Sequence, residues 1–179
     1  MATRPRVYMD ACCFIDMMKQ EVGSLEAGRE DDVWYGRKLL EANRAREINV
    51  YTSVLSMAEA VAPEKGQAKV PDDVKNLLRR ILSSGQFVML IQTTPAIGER
   101  ARDLRWKEEL VLKGADALHV ASALELGCDE FITTNGQVQK LSATSALADI
   151  GLRVIRASQT NHLPDHYRQS DMLDDDKKN

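Results

Sequence analysis

Apolar positions along this chain follow two rhythms, short unbroken runs and longer stretches spaced by three and four residues. Residues 5–10 form a short run that predicts a buried strand ending on Asp10. Residues 11–19 predict a helix, with Phe14, Ile15, Met17 and Met18 on its apolar side. Glycine and charge dominate residues 21–32, which predict a loop. Asp31 or Asp32 is the candidate cap of a helix over about 32–45, and Ile48–Thr52 predicts the second strand. Thr52 or Ser53 then caps a helix running through Glu59 to Val61, which Pro63 ends. A polar loop is expected over 63–70, and Pro71 opens a helix to about Ser83, closed by Gly85. Phe87–Ile91 predicts strand three, and Pro95 starts a helix over 95–108. The stretch from Gly114 to Gly127 is apolar nearly all round and predicts a buried helix. Asp129–Thr134, a short helix over 137–141 and Leu152–Ile155 complete the pattern with the fourth and fifth strands.

Strands that alternate with helices predict an α/β fold: a central parallel sheet of about five strands covered by helices on both faces. The length of 179 residues suits one domain, expected over 1–157. From about Ala157 the chain turns polar, so 158–179 is expected to be a flexible tail. A net charge of −3 gives no global signal for nucleic acid, so any such binding needs a local basic patch. Three cysteines make neither a disulfide framework nor a zinc spacing, and a reducing cytoplasm is the expected compartment. No apolar run suits a signal peptide or a membrane span.

Four side chains fall at comparable places in this topology. Asp10 ends strand one, Glu59 lies late in the helix after strand two, Asp116 is in the first turn of the buried helix, and Asn135 follows strand four. A parallel sheet can bring all four to its carboxyl edge, where open α/β sheets bind ligands. Hard oxygen donors suit Mg²⁺ or Mn²⁺, and a metal pair about 3.5–4 Å apart can drive phosphodiester hydrolysis. Taken singly, each has a plainer role. Asp10 can cap a helix, Glu59 can be a solvated charge, Asp116 can serve the helix dipole and Asn135 the turn.

The set, in order, resembles the PIN-domain ribonucleases, especially the small VapC-like toxins of toxin–antitoxin pairs. The resemblance rests on four blocks: Val7-Tyr8-Met9-Asp10-Ala11-Cys12-Cys13-Phe14-Ile15-Asp16, the stretch from Tyr51 to Ala60, Gly114-Ala115-Asp116-Ala117-Leu118-His119-Val120-Ala121, and Asp129 to Asn135. It covers roughly residues 5–156. It implies a three-layer α/β/α sandwich with sheet order 3-2-1-4-5. It also implies a Mg²⁺- or Mn²⁺-dependent endoribonuclease leaving 5′-phosphate and 3′-hydroxyl ends. Asp10, Glu59 and Asp116 take the family's metal-binding positions, and Thr133 its hydroxyl position. Asn135 stands where many members carry a fourth acid, which weakens the case for a second metal. Further implications are an RNA substrate, a cognate antitoxin and a homodimer.

Other polar residues attract plainer expectations. His119 shares a helical face with Asp116, and a packed histidine is the leading reading. Cys12 and Cys13 read as small buried residues, Asp16 as helix surface and Asp129 as a turn residue away from the site. His162 and His166 lie in the tail without a zinc spacing. Arg37, Lys38, Arg44 and Arg46 form one basic group, and Arg100, Arg102, Arg105, Lys107 and Lys113 another. The second is the better candidate for an RNA backbone because its helix leads towards Asp116. One rival is an inactive PIN module that binds RNA or protein. A phosphatase opening on Asp10 is the other, and Cys12 argues against it, since a second aspartate is wanted there.

Overall fold

The computed structural model describes residues 3–63, 69–142 and 146–169. Its centre is β1 (Arg6–Met9), whose Val7, Tyr8 and Met9 are inaccessible to solvent. On one side lie β2 (Asn49–Ser53) and β3 (Met89–Ile91), on the other β4 (Glu130–Ile132) and β5 (Arg153–Ile155). All four pairings are parallel, in the order β3-β2-β1-β4-β5. Tyr8 pairs in register with Tyr51 and with Phe131. The fold is the expected three-layer α/β/α arrangement.

Alternation along β1 divides the core. Met9 points into one layer with Phe14, Met17 and Met18 of α1 (Ala11–Glu21) and Leu39 and Leu40 of α2 (Glu30–Arg44). Val74 and Leu77 of α4 (Asp72–Leu78) join them, and α4 runs on into a π-helical turn over Arg79–Ser83. Tyr8 points the other way. It meets Leu104 of α5 (Pro95–Trp106), Val120 and Ala121 of α6 (Gly114–Glu125) and Leu147 of α8 (Ala146–Asp149). With both faces covered, the strands are short and apolar, as buried parallel strands must be.

Several element ends differ from expectation, for local reasons. Pro95 takes the first position of α5, as the sequence predicted, and the Thr94 side chain caps it, while the helix ends at Trp106, two residues short of the expected end. Ser53 caps α3 (Val54–Glu59). That helix stops at Glu59 because Ala60 leaves the helical region at ψ 61°, three residues ahead of Pro63. α2 begins after Arg29, without a side-chain cap. Asp32 is buried inside it, and its carboxylate accepts from the Ser158 N–H at 3.2 Å and from the Ser158 hydroxyl at 2.6 Å.

That contact bears on the segment after β5. Residues 157–159 form a 3-10 turn and Asp165–Arg168 a short helix, α9. Leu163 is buried in the α1/α2 core, and the Thr160 hydroxyl and Asn161 N–H donate to the buried Glu130 carboxylate. So residues 157–169 pack on the domain, because two buried carboxylates need donors from it. Parts of two expected segments, the loop over 63–70 and the tail to 179, lie outside the described residues at 64–68 and 170–179. α7 (Gly136–Ser142) starts directly after Asn135.

Candidate active site

The end of β1 builds the first part of the site. The Asp10 N–H continues the sheet ladder by donating to the Ile132 carbonyl at 3.0 Å, while its side chain caps α1 by accepting from the Ala11 N–H at 2.7 Å. Its second carboxylate oxygen accepts from the Thr133 hydroxyl at 2.7 Å and from the Cys12 thiol at 3.2 Å. Asp10 is therefore both the helix cap and a buried charge at the strand end. Thr133, just past β4, is fully buried, and its oxygen accepts from the Asn135 N–H at 2.9 Å.

Asn135 carries the network to α6. Its side-chain amide donates to Asp116 Oδ1 at 3.0 Å, and its carbonyl oxygen accepts from the Gln137 N–H at 3.0 Å, at the start of α7. That oxygen, expected to be available to a metal, already has a backbone donor. Asp116 sits in the first turn of α6, half-buried. Burial first, then the negative charge of Asp10, holds its carboxyl above the usual range. Glu59 pushes the same way, while Lys113 and His119 oppose both.

Glu59 enters from the last residue of α3, and His119 meets it. His119 Nε2 donates to Glu59 Oε2 at 2.7 Å, since a carboxylate only accepts. The same nitrogen lies 3.8 Å from Asp10 Oδ1. The Tyr8 phenol is hydrogen-bonded to His119 Nδ1 at 2.8 Å, as the donor when the ring carries its one proton on Nε2. Tyr8 stacks on Phe131 at 5.3 Å, and burial, then the Asp10 charge, pushes its phenol far above its ordinary pKa. His119 is thus packed, as expected, and also bonded into the acidic group. The signal for it was its place three residues after Asp116 on an otherwise apolar helix.

Asp16, expected on the surface, is 3% exposed and is held by Arg29 at 3.0 Å and by the Thr134 hydroxyl at 2.8 Å. No sequence pattern links Asp16 to Thr134, because the contact spans the fold. Cys13 is buried, and its thiol is held well above its ordinary pKa by a hydrogen bond with Cys12 and by burial. Asp129 is exposed, with His162 3.7 Å away, and His166 lies 3.4 Å from Glu47.

The basic residues divide unevenly. Arg100 pairs with Glu108, Lys107 with Asp103 at 2.7 Å, and Arg102 lies over the Trp106 ring at 4.6 Å. Lys113 directly precedes α6, and among the described residues Arg105 and Lys113 have no ion pair. In the other group Arg37 pairs with Glu21 and Lys38 with Glu41, while Arg44 lies over Phe87. Arg44 and Arg46, with Arg4, line a cavity of about 560 Å³ by the amino ends of β2 and β3, at the sheet edge opposite the acids.

The donor chemistry of the acidic edge fits a hydrated divalent ion. Among the described residues no three His, Cys, Asp or Glu side chains form a ready-made chelating cage. Mg²⁺ and Mn²⁺ do not need one, since they favour oxygen donors and keep several waters beside one or two carboxylates. Crowded carboxylates around Asp116 are what such a cation relieves.

The family model of the PIN domain matches residues 7–143. The chain belongs to the PIN-domain family. No curated protein matches it. PIN domains are generally nucleases that act on RNA with divalent metals, and this PIN domain has the nuclease-type fold, with the strand order in place. Among the described residues, no helix is long and apolar enough to cross a membrane.

Proposed function

We propose that this PIN domain is a Mg²⁺- or Mn²⁺-dependent endoribonuclease in which Asp10, Asp116 and Glu59 hold the metal and Thr133 and Asn135 order the site. The observation that carries the reading is the meeting of these five residues from four parts of the fold: the end of β1, α3, α6 and the turn between β4 and α7. Asp10 is joined to Thr133, Thr133 to Asn135 and Asn135 to Asp116, with Glu59 reached through His119. The Ala11 N–H and the Thr133 hydroxyl hold the Asp10 carboxylate in one orientation. Asn135 turns one Asp116 oxygen towards itself, and among the described residues the other accepts no side-chain hydrogen bond. A divalent ion bound here supplies positive charge for a phosphodiester and acidifies water for in-line attack. In the hydrolysis a water oxygen bonds to phosphorus, the bond to the 3′ oxygen breaks, and that oxygen takes a proton. The ends left are a 5′-phosphate and a 3′-hydroxyl.

The wider reading is a VapC-like toxin of the reducing cytoplasm, acting as a homodimer on structured RNA and blocked by a cognate antitoxin. Arg100, Arg102, Arg105, Lys107 and Lys113 track the RNA backbone, with Arg105 and Lys113 the most available because among the described residues they have neither an ion pair nor the ring contact that Arg102 makes with Trp106. One observation favours a second reading, a catalytically weak module that binds RNA or a protein. Asn135 brings no charge, and both ends of its amide are already bonded. RNA incubated with Mn²⁺ and the parent protein or the Asp116→Asn variant, with and without chelator, tests the reading. Cleavage that needs both the metal and Asp116 supports it. Cleavage that survives the chelator or the substitution overturns it. RNA binding with Mn²⁺ present and no cleavage supports the inactive module instead.

A further inference from the structure

Glu59 is held differently from the other acids. Asp10 has three donors on it and Asp116 has Asn135, but Glu59 ends a six-residue helix and its side chain is one-third exposed. Among the described residues its side chain has one hydrogen bond, to His119 Nε2 at 2.7 Å. His119 is itself held firmly. Its ring is 1% exposed, is hydrogen-bonded at Nδ1 to the Tyr8 phenol at 2.8 Å, and meets the Tyr8 ring edge-on at 5.9 Å. Tyr8 is locked in turn by stacking on Phe131. A buried imidazole is tolerated only when both nitrogens are bonded, and here both are.

We infer that Tyr8 and His119 form a positioning relay that sets the Glu59 carboxylate at the metal site: β1 holds the phenol, the phenol holds the ring, and the ring holds the acid. The inference rests on the nuclease reading of the site. The acceptor-only carboxylate calls for the N–H at Nε2, and a ring carrying its one proton there accepts from Tyr8 at Nδ1. The order of donors is thereby set along the whole chain. A side chain on a short helix end loses rotamer freedom when it is held, and the ring provides that constraint. Partners that orient a ligating side chain contribute roughly 10- to 100-fold to metal affinity or activity.

The test compares the parent with His119→Ala, His119→Gln, Tyr8→Phe and Glu59→Ala. Mn²⁺ binding is measured by electron paramagnetic resonance without RNA, and the His119 ring by nitrogen-15 NMR without metal. We expect His119→Ala to bind Mn²⁺ roughly 10- to 100-fold more weakly. Gln places an N–H near the Nε2 position and should recover most of that loss, while Tyr8→Phe falls between. A merely packed histidine would not show this rescue by Gln. In the metal-free parent the NMR shows the Nε2–H tautomer, and Glu59→Ala shifts its Nε2 signal. An Nδ1–H ring, or an Nε2 signal indifferent to Glu59→Ala, overturns the relay whether or not the protein cuts RNA. Unchanged Mn²⁺ affinity in folded His119→Ala overturns it as well. A parent that shows the Nε2–H tautomer and the Glu59-dependent shift but binds no Mn²⁺ supports the relay and overturns the metal site.

Discussion

At the residue scale the acids are arranged for a charge that they lack by themselves. Asp116 has a carboxyl pKa raised by burial and by Asp10 and Glu59. A raised carboxyl pKa means that the native state binds the proton more tightly than the unfolded chain. Stability is then full below the unfolded value and falls as pH rises through the folded value. Asp116→Asn removes that penalty, so the metal-free variant should melt higher than the parent at pH 7, with the gap closing as pH falls to about 3. Calorimetry across that range checks it, and a gap that widens in acid would sink the charge-crowding account. Adding Mn²⁺ should reverse the ranking, because a ligand at 100 times its Kd stabilises the parent by about 2.7 kcal/mol and the variant by less. A second expectation concerns Thr133, whose hydroxyl donates to Asp10 and accepts from Asn135. Thr133→Val leaves a buried carboxylate oxygen short of a donor and should cost about 1–3 kcal/mol in urea melts. Asp10, Glu59, Asp116 and Asn135 could be grouped from the sequence because each stands at a comparable place in the topology, and Thr133 only through the family resemblance. The partners were not legible, since Thr133 lies 123 positions from Asp10 and His119 lies 60 from Glu59.

At the element scale, most helices and strands could be read from apolar spacing because both faces of this sheet are covered. Their ends were less legible wherever a distant group outcompeted a local one. Asp32 reads as a helix cap from its neighbours, yet it serves Ser158, 126 residues on. Glu130 opens β4 and is buried beneath Thr160 and Asn161. These two carboxylates turn a polar stretch without a helical pattern into part of the domain. Asp32→Ala should therefore cost roughly 1–3 kcal/mol. It should also raise hydrogen exchange at 157–163 more than in β1. Equal exchange in the variant and the parent over 157–163 would mean that Leu163 alone holds the segment down.

At the scale of the whole molecule, alternating strands and helices made a parallel sheet legible, since parallel neighbours need crossover connections. Charge is where the global view misleads. A net charge of −3 opposes a polyanion at long range, so RNA binding must rest on a few local cations. Pairing within the fold narrows that choice further. Arg100 and Lys107 are paired with Glu108 and Asp103 and Arg102 lies over the Trp106 ring, leaving Arg105 in the last turn of α5 and Lys113 just before α6. Each phosphate contact on a single strand contributes about 0.7 to the slope of log affinity against log salt. The double variant Arg105→Ala with Lys113→Ala, made in the Asp116→Asn background, should therefore lower that slope by about 1.4. Fluorescence anisotropy with a labelled RNA at several salt concentrations, without metal, measures it. An unchanged slope would place the RNA elsewhere, and the cavity lined by Arg4, Arg44 and Arg46 at the opposite sheet edge would be the next surface to substitute.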